Sequence, residues 1–187
     1  MKAKISTIFA AGFAVSLGFS GSAIAQVDTH TDNHQITVVV PTVALLDLES
    51  DTPDNLTATF VAPTEAGEKI AAPEAISTIW LNYSSIQNGQ KTKRVDVETS
   101  ALVPGVDIRI QAGASGTGVG TLGQAELPFN LTVLPKKLID GIGSAYTTSG
   151  PSKGHPLTYS FLAEDGNYAD IRSGSPLVTV KYTLVEN

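Results

Sequence analysis

The chain has 187 residues, is 42% hydrophobic, carries a formal net charge of −6 and contains no cysteine. That length fits one domain with a proper core and is too short for two comfortable ones. The negative field disfavours phosphate backbones as partners, and without thiols the chain has neither a cysteine nucleophile nor a cysteine metal ligand.

The first 25 residues predict an export signal. Lys2 and Lys4 give a positive start, residues 5–19 are an apolar run, and Ala23-Ile24-Ala25 is a small-residue cleavage site. The run is too short for a membrane anchor, and no later segment is long and apolar enough to span a bilayer. The expected locations are the periplasm and then the cell surface or the medium. The two lysines leave with the signal and no acid does, so the charge falls from −6 to −8. Exported domains of this size often rely on disulfides. Here the core, or contacts with neighbouring molecules, must supply that stability.

Residues 26–34 (QVDTHTDNH) are polar and predict a flexible tail. His30, His34, Asp28 and Asp32 are possible metal ligands, but an extended tail does not pre-organise them. No metal or cofactor is predicted. Period-two patterning then begins. Ile36, Val38 and Val40 alternate with Thr37 and Val39, Pro41 interrupts, and Val43, Leu45 and Leu48 resume. Further strands are predicted at 56–61, 77–83, 92–98, 106–111, 127–134, 157–162 and 177–185. These stretches are rich in Val, Ile, Thr and aromatics and bounded by turn residues. The best helical stretches, 65–72 and 136–142, are a turn or two each. Loops are expected at 113–120 and 144–156. The pattern predicts an all-β, immunoglobulin-like β-sandwich of about 7–9 short strands, with residues 35–187 as a single domain.

Several motifs have to be weighed. Gly118-Val119-Gly120-Thr121-Leu122-Gly123 matches G-x-G-x-x-G, but no helix follows it, so the sequence predicts a mobile loop and not a dinucleotide site. Glu164-Asp165-Gly166-Asn167 lacks the spacing of a calcium loop and reads as a hairpin turn. His155 falls in a predicted loop, and no nucleophile–base set surrounds it, so the chain is not predicted to be an enzyme. Trp80 is the only tryptophan. In Ile79-Trp80-Leu81-Asn82-Tyr83 it either packs in the core or, if Ile79, Leu81 and Tyr83 are the core set, stands on the outer face.

The C-terminal segment runs from Gly166-Asn167-Tyr168-Ala169-Asp170 to Pro176-Leu177-Val178-Thr179-Val180-Lys181-Tyr182-Thr183-Leu184-Val185. It resembles the end of chaperone–usher pilus subunits, where an alternating apolar last strand follows a glycine fourteenth from the terminus. Gly174 holds that place, and Val178, Val180, Tyr182 and Leu184 give the alternation. Glu186 stands where the family usually has a penultimate tyrosine, and residues 171–175 are an insertion relative to it. At the other end, residues 35–48 are similar to the cysteine-free α-type colonisation-factor fimbrial subunits. In those proteins a short alternating segment is donated to the neighbouring subunit.

The resemblance implies an exported structural subunit of a surface fibre or matrix, assembling by β-strand addition. Ile36, Val38 and Val40 would be the groove-filling side chains. The implied partners are copies of the same chain, with a periplasmic chaperone and an outer-membrane usher. The period-two pattern alone leaves residues 35–41 equally readable as the domain's own first strand. A rival from another class is a secreted module binding carbohydrate or protein, with Trp80 as the platform.

Overall fold

The computed structural model describes residues 31–52 and 55–187. The predicted signal peptide and residues 26–30, His30 included, lie outside the described residues. The chain divides between Val38 and Val39, so the compact unit starts four residues later than the sequence predicts.

Within residues 39–187 the fold is all-β. Nine strands follow one another: β1 (Val43–Ser50), β2 (Ile76–Ile86), β3 (Lys93–Thr99), β4 (Asp107–Ala112), β5 (Val119–Ala125), β6 (Phe129–Asn130), β7 (Lys136–Tyr146), β8 (His155–Leu162) and β9 (Val180–Glu186). Among the described residues the helix is one 3-10 segment, Asp165–Asp170. One leaf runs β6-β4-β8-β2-β1, the other β5-β7-β3-β9, and every pairing is antiparallel. The leaves join where Ser84 and Ser85 of β2 pair with Tyr146 and Ala145 of β7.

Alternation explains which side chains meet between the leaves. Ile79, Leu81 and Tyr83 of β2, Ile110 of β4, and Leu157 and Tyr159 of β8 face Val95 and Val97 of β3 and Leu138, Ile139 and Ile142 of β7 in one buried cluster. Tyrosine hydroxyls cross between leaves twice: Tyr83 donates to the Leu122 carbonyl of β5, and the Tyr159 and Tyr182 hydroxyls bond to each other.

The structure corrects the sequence reading at several points. Residues 136–142 are not helical but open the 11-residue strand β7. Leu138, Ile139 and Ile142 are all buried, a spacing that mimics a helix face. Register shifts in the β3–β7 pairing, and Gly141 at φ 71°, are what put adjacent residues on one face of a strand. Residues 65–72 form no helix, and 56–61 form no strand beyond an isolated bridge of Val61 to Ala71.

Residues 119–123 of the G-x-G-x-x-G stretch lie in strand β5, and Gly118 leads directly into it, so the stretch is not a loop. Gly118 and Gly120 have φ near 100°, and a Cβ there would strike the carbonyls of Tyr146 and Ser144 on β7. The glycines serve close backbone approach between two strands.

Candidate functional site

β1 and β9 are the least complete part of the sandwich. β1 pairs with β2 over its whole length, Val43 opposite Ile86 and Ser50 opposite Ile79. β9 pairs with β3, Lys93 opposite Glu186 and Thr99 opposite Val180. Among the described residues neither has a second ladder partner. They approach within 8 Å at Cα without sharing a ladder. Each therefore presents one edge whose N–H and C=O groups have no ladder partner.

The two registers also fix direction. Val43, Ile86, Lys93 and Glu186 lie at one end of the sandwich, so β1 leaves that end and β9 returns to it. The edges are antiparallel. Between them the inward side chains are half-buried where the central core is sealed. Leu46 and Leu48 come from β1, and Val180, Tyr182 and Leu184 come from β9. Burial raises the pKa of both Tyr159 and Tyr182, so their hydroxyl contact is between neutral phenols. At the end carrying Val43, the buried Lys93 amine donates to the Ile86 carbonyl at 2.9 Å and approaches Ser85 Oγ at 3.3 Å. It pins the β2–β3 turn.

The predicted assembly residues fall into three groups. Val180, Tyr182 and Leu184 line the open edge, as the alternation requires. Gly174 and Val178 precede β9 and belong to no strand. Gly174 is exposed, and a Cβ there would meet nothing within 4 Å; the final strand, predicted from residue 177, begins at Val180 and leaves Val178 outside it. Residues 35–41 are also outside every strand. Ile36 is 75% exposed, Val38 78% and Val40 68%. The reading of this segment as the domain's own first strand is therefore corrected: β1 begins at Val43, after Pro41.

Trp80 is on the outer face. Ile79, Leu81 and Tyr83 are the buried set, and Trp80 is half-buried, opposite Glu49 of β1 and Pro156 of β8 in register. The core reading of this residue is corrected in favour of the outer-face one. Asn82, on the same face, is covered by the turn after β7 and donates to the Gly150 carbonyl at 2.9 Å.

Sequence reasoning missed several buried polar groups, Lys93 and His155 among them. His155 is 1% exposed. Its Nδ1 donates to the Gly113 carbonyl at 2.8 Å, and its Nε2 lies 3.1 Å from the Tyr83 hydroxyl. The rings stack with centroids 5.6 Å apart. Burial pushes the imidazole pKa down and the Tyr83 phenol up. The Gly154-His155-Pro156 sequence disguised this residue as a loop position. Among the described residues no nucleophile joins it, and no group of three or more His, Asp or Glu is arranged to hold a metal ion.

No family model, curated protein or solved structure matches the chain.

Proposed function

We propose that this protein is an exported structural subunit of a surface fibre or matrix, in which residues 35–41 of one copy add a strand between β1 and β9 of the next. The carrying observation is a complementary pair within one chain. Two antiparallel edges stand bare over half-buried apolar side chains, and an apolar segment stands exposed and unpaired. Adding a strand satisfies both, because main-chain hydrogen bonds fill the edges while alternate side chains fill the gap. The lengths agree: residues 35–41 number seven, like the seven residues of β9. Ile36, Val38 and Val40 point to one side of an extended chain, the requirement for filling an apolar gap. In this reading a periplasmic chaperone and an outer-membrane usher guard and deliver the unfilled subunit.

The test is Val38→Asp, assayed by size-exclusion chromatography and electron microscopy of periplasmic extracts. Burying an unpaired carboxylate costs several kcal/mol, on the order of the penalties for isolated buried charges. Wild-type protein is expected to form multimers and the variant to stay monomeric. Deleting residues 26–41 is expected to leave a folded subunit that does not polymerise. A stable wild-type monomer with residues 35–41 protected from hydrogen exchange would sink the reading.

A second reading, a secreted binding module, is favoured by one observation: Trp80 is on the outer face, opposite Glu49 in register. Saturable quenching of Trp80 fluorescence by a glycan, in protein that forms no multimers, would favour it.

A further inference from the structure

The end of the sandwich remote from Val43 carries an uncovered apolar patch. It is built from three connections. The Thr99 amide donates to the Thr132 carbonyl at 3.0 Å, and the Ser100 amide to the Thr179 carbonyl at 2.8 Å. Lys136 begins β7 opposite Val97. These bonds gather the turn after β3, the segment between β6 and β7 and the approach to β9. The side chains there are not buried: Leu134 is 72% exposed and Leu177 92%, and Leu102 and Val133 are exposed too. The opposite end, where β1 starts, has an exposed apolar pair of its own, Val119 and Tyr146, which are cross-strand partners of β5 and β7.

Chain direction says which surfaces meet. This step rests on the proposed strand addition. Only Thr42 separates residue 41 from Val43. The donating copy's β1 end must therefore lie against whichever end of the acceptor the added strand leaves. If the strand leaves at the acceptor's own β1 end, like meets like, and the contact closes into a two-fold dimer. A fibre requires the other exit, at the patch. The added strand then runs parallel to β1 and antiparallel to β9.

We propose that the patch of Leu102, Val133, Leu134 and Leu177 is a stacking surface for the β1 end of the next copy, seated on its Val119 and Tyr146. Strand addition links the copies, and the stacked ends hold them straight.

The chain has no cysteine, so single-cysteine variants report this contact without background. Leu134→Cys and Tyr146→Cys proteins are co-assembled and oxidised, and Leu134→Asp/Leu177→Asp fibres are imaged beside wild type. Expected are mixed disulfides, each joining one Leu134→Cys copy to one Tyr146→Cys copy, and, for the double aspartate, multimers that have lost straightness. Loss of multimers with unchanged circular dichroism would equally support the contact. Straight double-aspartate fibres with no mixed disulfide would overturn the stacking surface and leave strand addition intact. Disulfides between two Tyr146→Cys copies in a closed dimer would overturn the stacking geometry. Wild-type protein that never forms multimers would overturn strand addition itself, and stacking with it.

Discussion

The interior beneath β2 and the flank between β1 and β9 are built from the same alternating pattern, yet one is finished and the other is not. Beneath β2, Leu81 and Leu157 are fully buried, and the Tyr83 and Thr147 backbones are locked together. The Tyr83 amide donates to Thr147 Oγ1 at 2.9 Å, and the Thr147 amide returns to the Tyr83 carbonyl at 3.1 Å. Between β1 and β9, the same kinds of side chain are half-covered and the backbone edges are bare. A strand's alternation thus specifies a face. Whether that face is covered depends on how many strands the chain commits to each leaf.

The largest effect should separate the two regions. Leu81→Ala is expected to cost about 2–5 kcal/mol in monomer stability, because it empties a sealed site. Leu184→Ala, on the open flank, is expected to cost clearly less in the monomer and to weaken multimers instead. Urea unfolding of both variants measures the first quantity and size-exclusion chromatography the second. Equal losses would mean that the flank is already closed in the monomer.

A smaller effect probes the polar part of the finished region. Tyr83→Phe removes the hydroxyl that donates to the Leu122 carbonyl and lies against His155 Nε2, leaving a buried carbonyl without its donor. The expected loss is about 1–3 kcal/mol, measured by urea unfolding. A neutral result would mean that water enters this region freely.

The outer face of the same strand should respond less. Trp80 is half-buried, so Trp80→Ala is expected to cost about 1–2 kcal/mol, below the roughly 3–5 kcal/mol typical of emptying a core aromatic site. Native emission should lie to the red of a fully buried indole. Blue-shifted emission with a core-sized loss would return Trp80 to the interior.

These regions were unequally legible in the sequence. β1, β2, β3, β4, β8 and β9 follow from plain alternation, but in β2 alternation left open which of its two faces, the one with Trp80 or the one with Ile79, Leu81 and Tyr83, is the inner one. β5 and β7 did not, for one physical reason. They approach each other so closely that glycine replaces side chains in β5, and bulges break the period in β7. A strand written in glycine looks like a loop, and a bulged strand looks like a helix. The open flank was half legible: alternation picked out Val180, Tyr182 and Leu184, but only the pairing partners reveal that β1 and β9 each lack a neighbour. Residues 35–41 had two equal readings, because period two says nothing about which sheet a segment joins.

The smallest effect is a pH dependence confined to the finished region. The Gly113 carbonyl takes the Nδ1 proton of His155, and the Tyr83 hydroxyl faces Nε2. Burial dominates over these contacts and lowers the imidazole pKa below the ordinary 6.5. Above pH 6.5 the ring is neutral in both the folded and unfolded chains, and its contribution is fully present. As pH falls through 6.5 the unfolded chain binds a proton that the folded one refuses, so stability drops until the folded pKa is reached. One proton limits the slope to about 1.4 kcal/mol per pH unit. The perturbed carboxylate Asp140 does not mask it: held down to about 2 by Lys137 and Asn187, it titrates lower. The measurement is the urea midpoint between about pH 7.5 and 5, which brackets the ordinary imidazole range, with His155→Gln as control. Wild type is expected to lose stability across that range and the variant to lose less. Parallel curves would mean that the imidazole titrates alike in both states, and that the region around it admits a charge as readily as the open flank does.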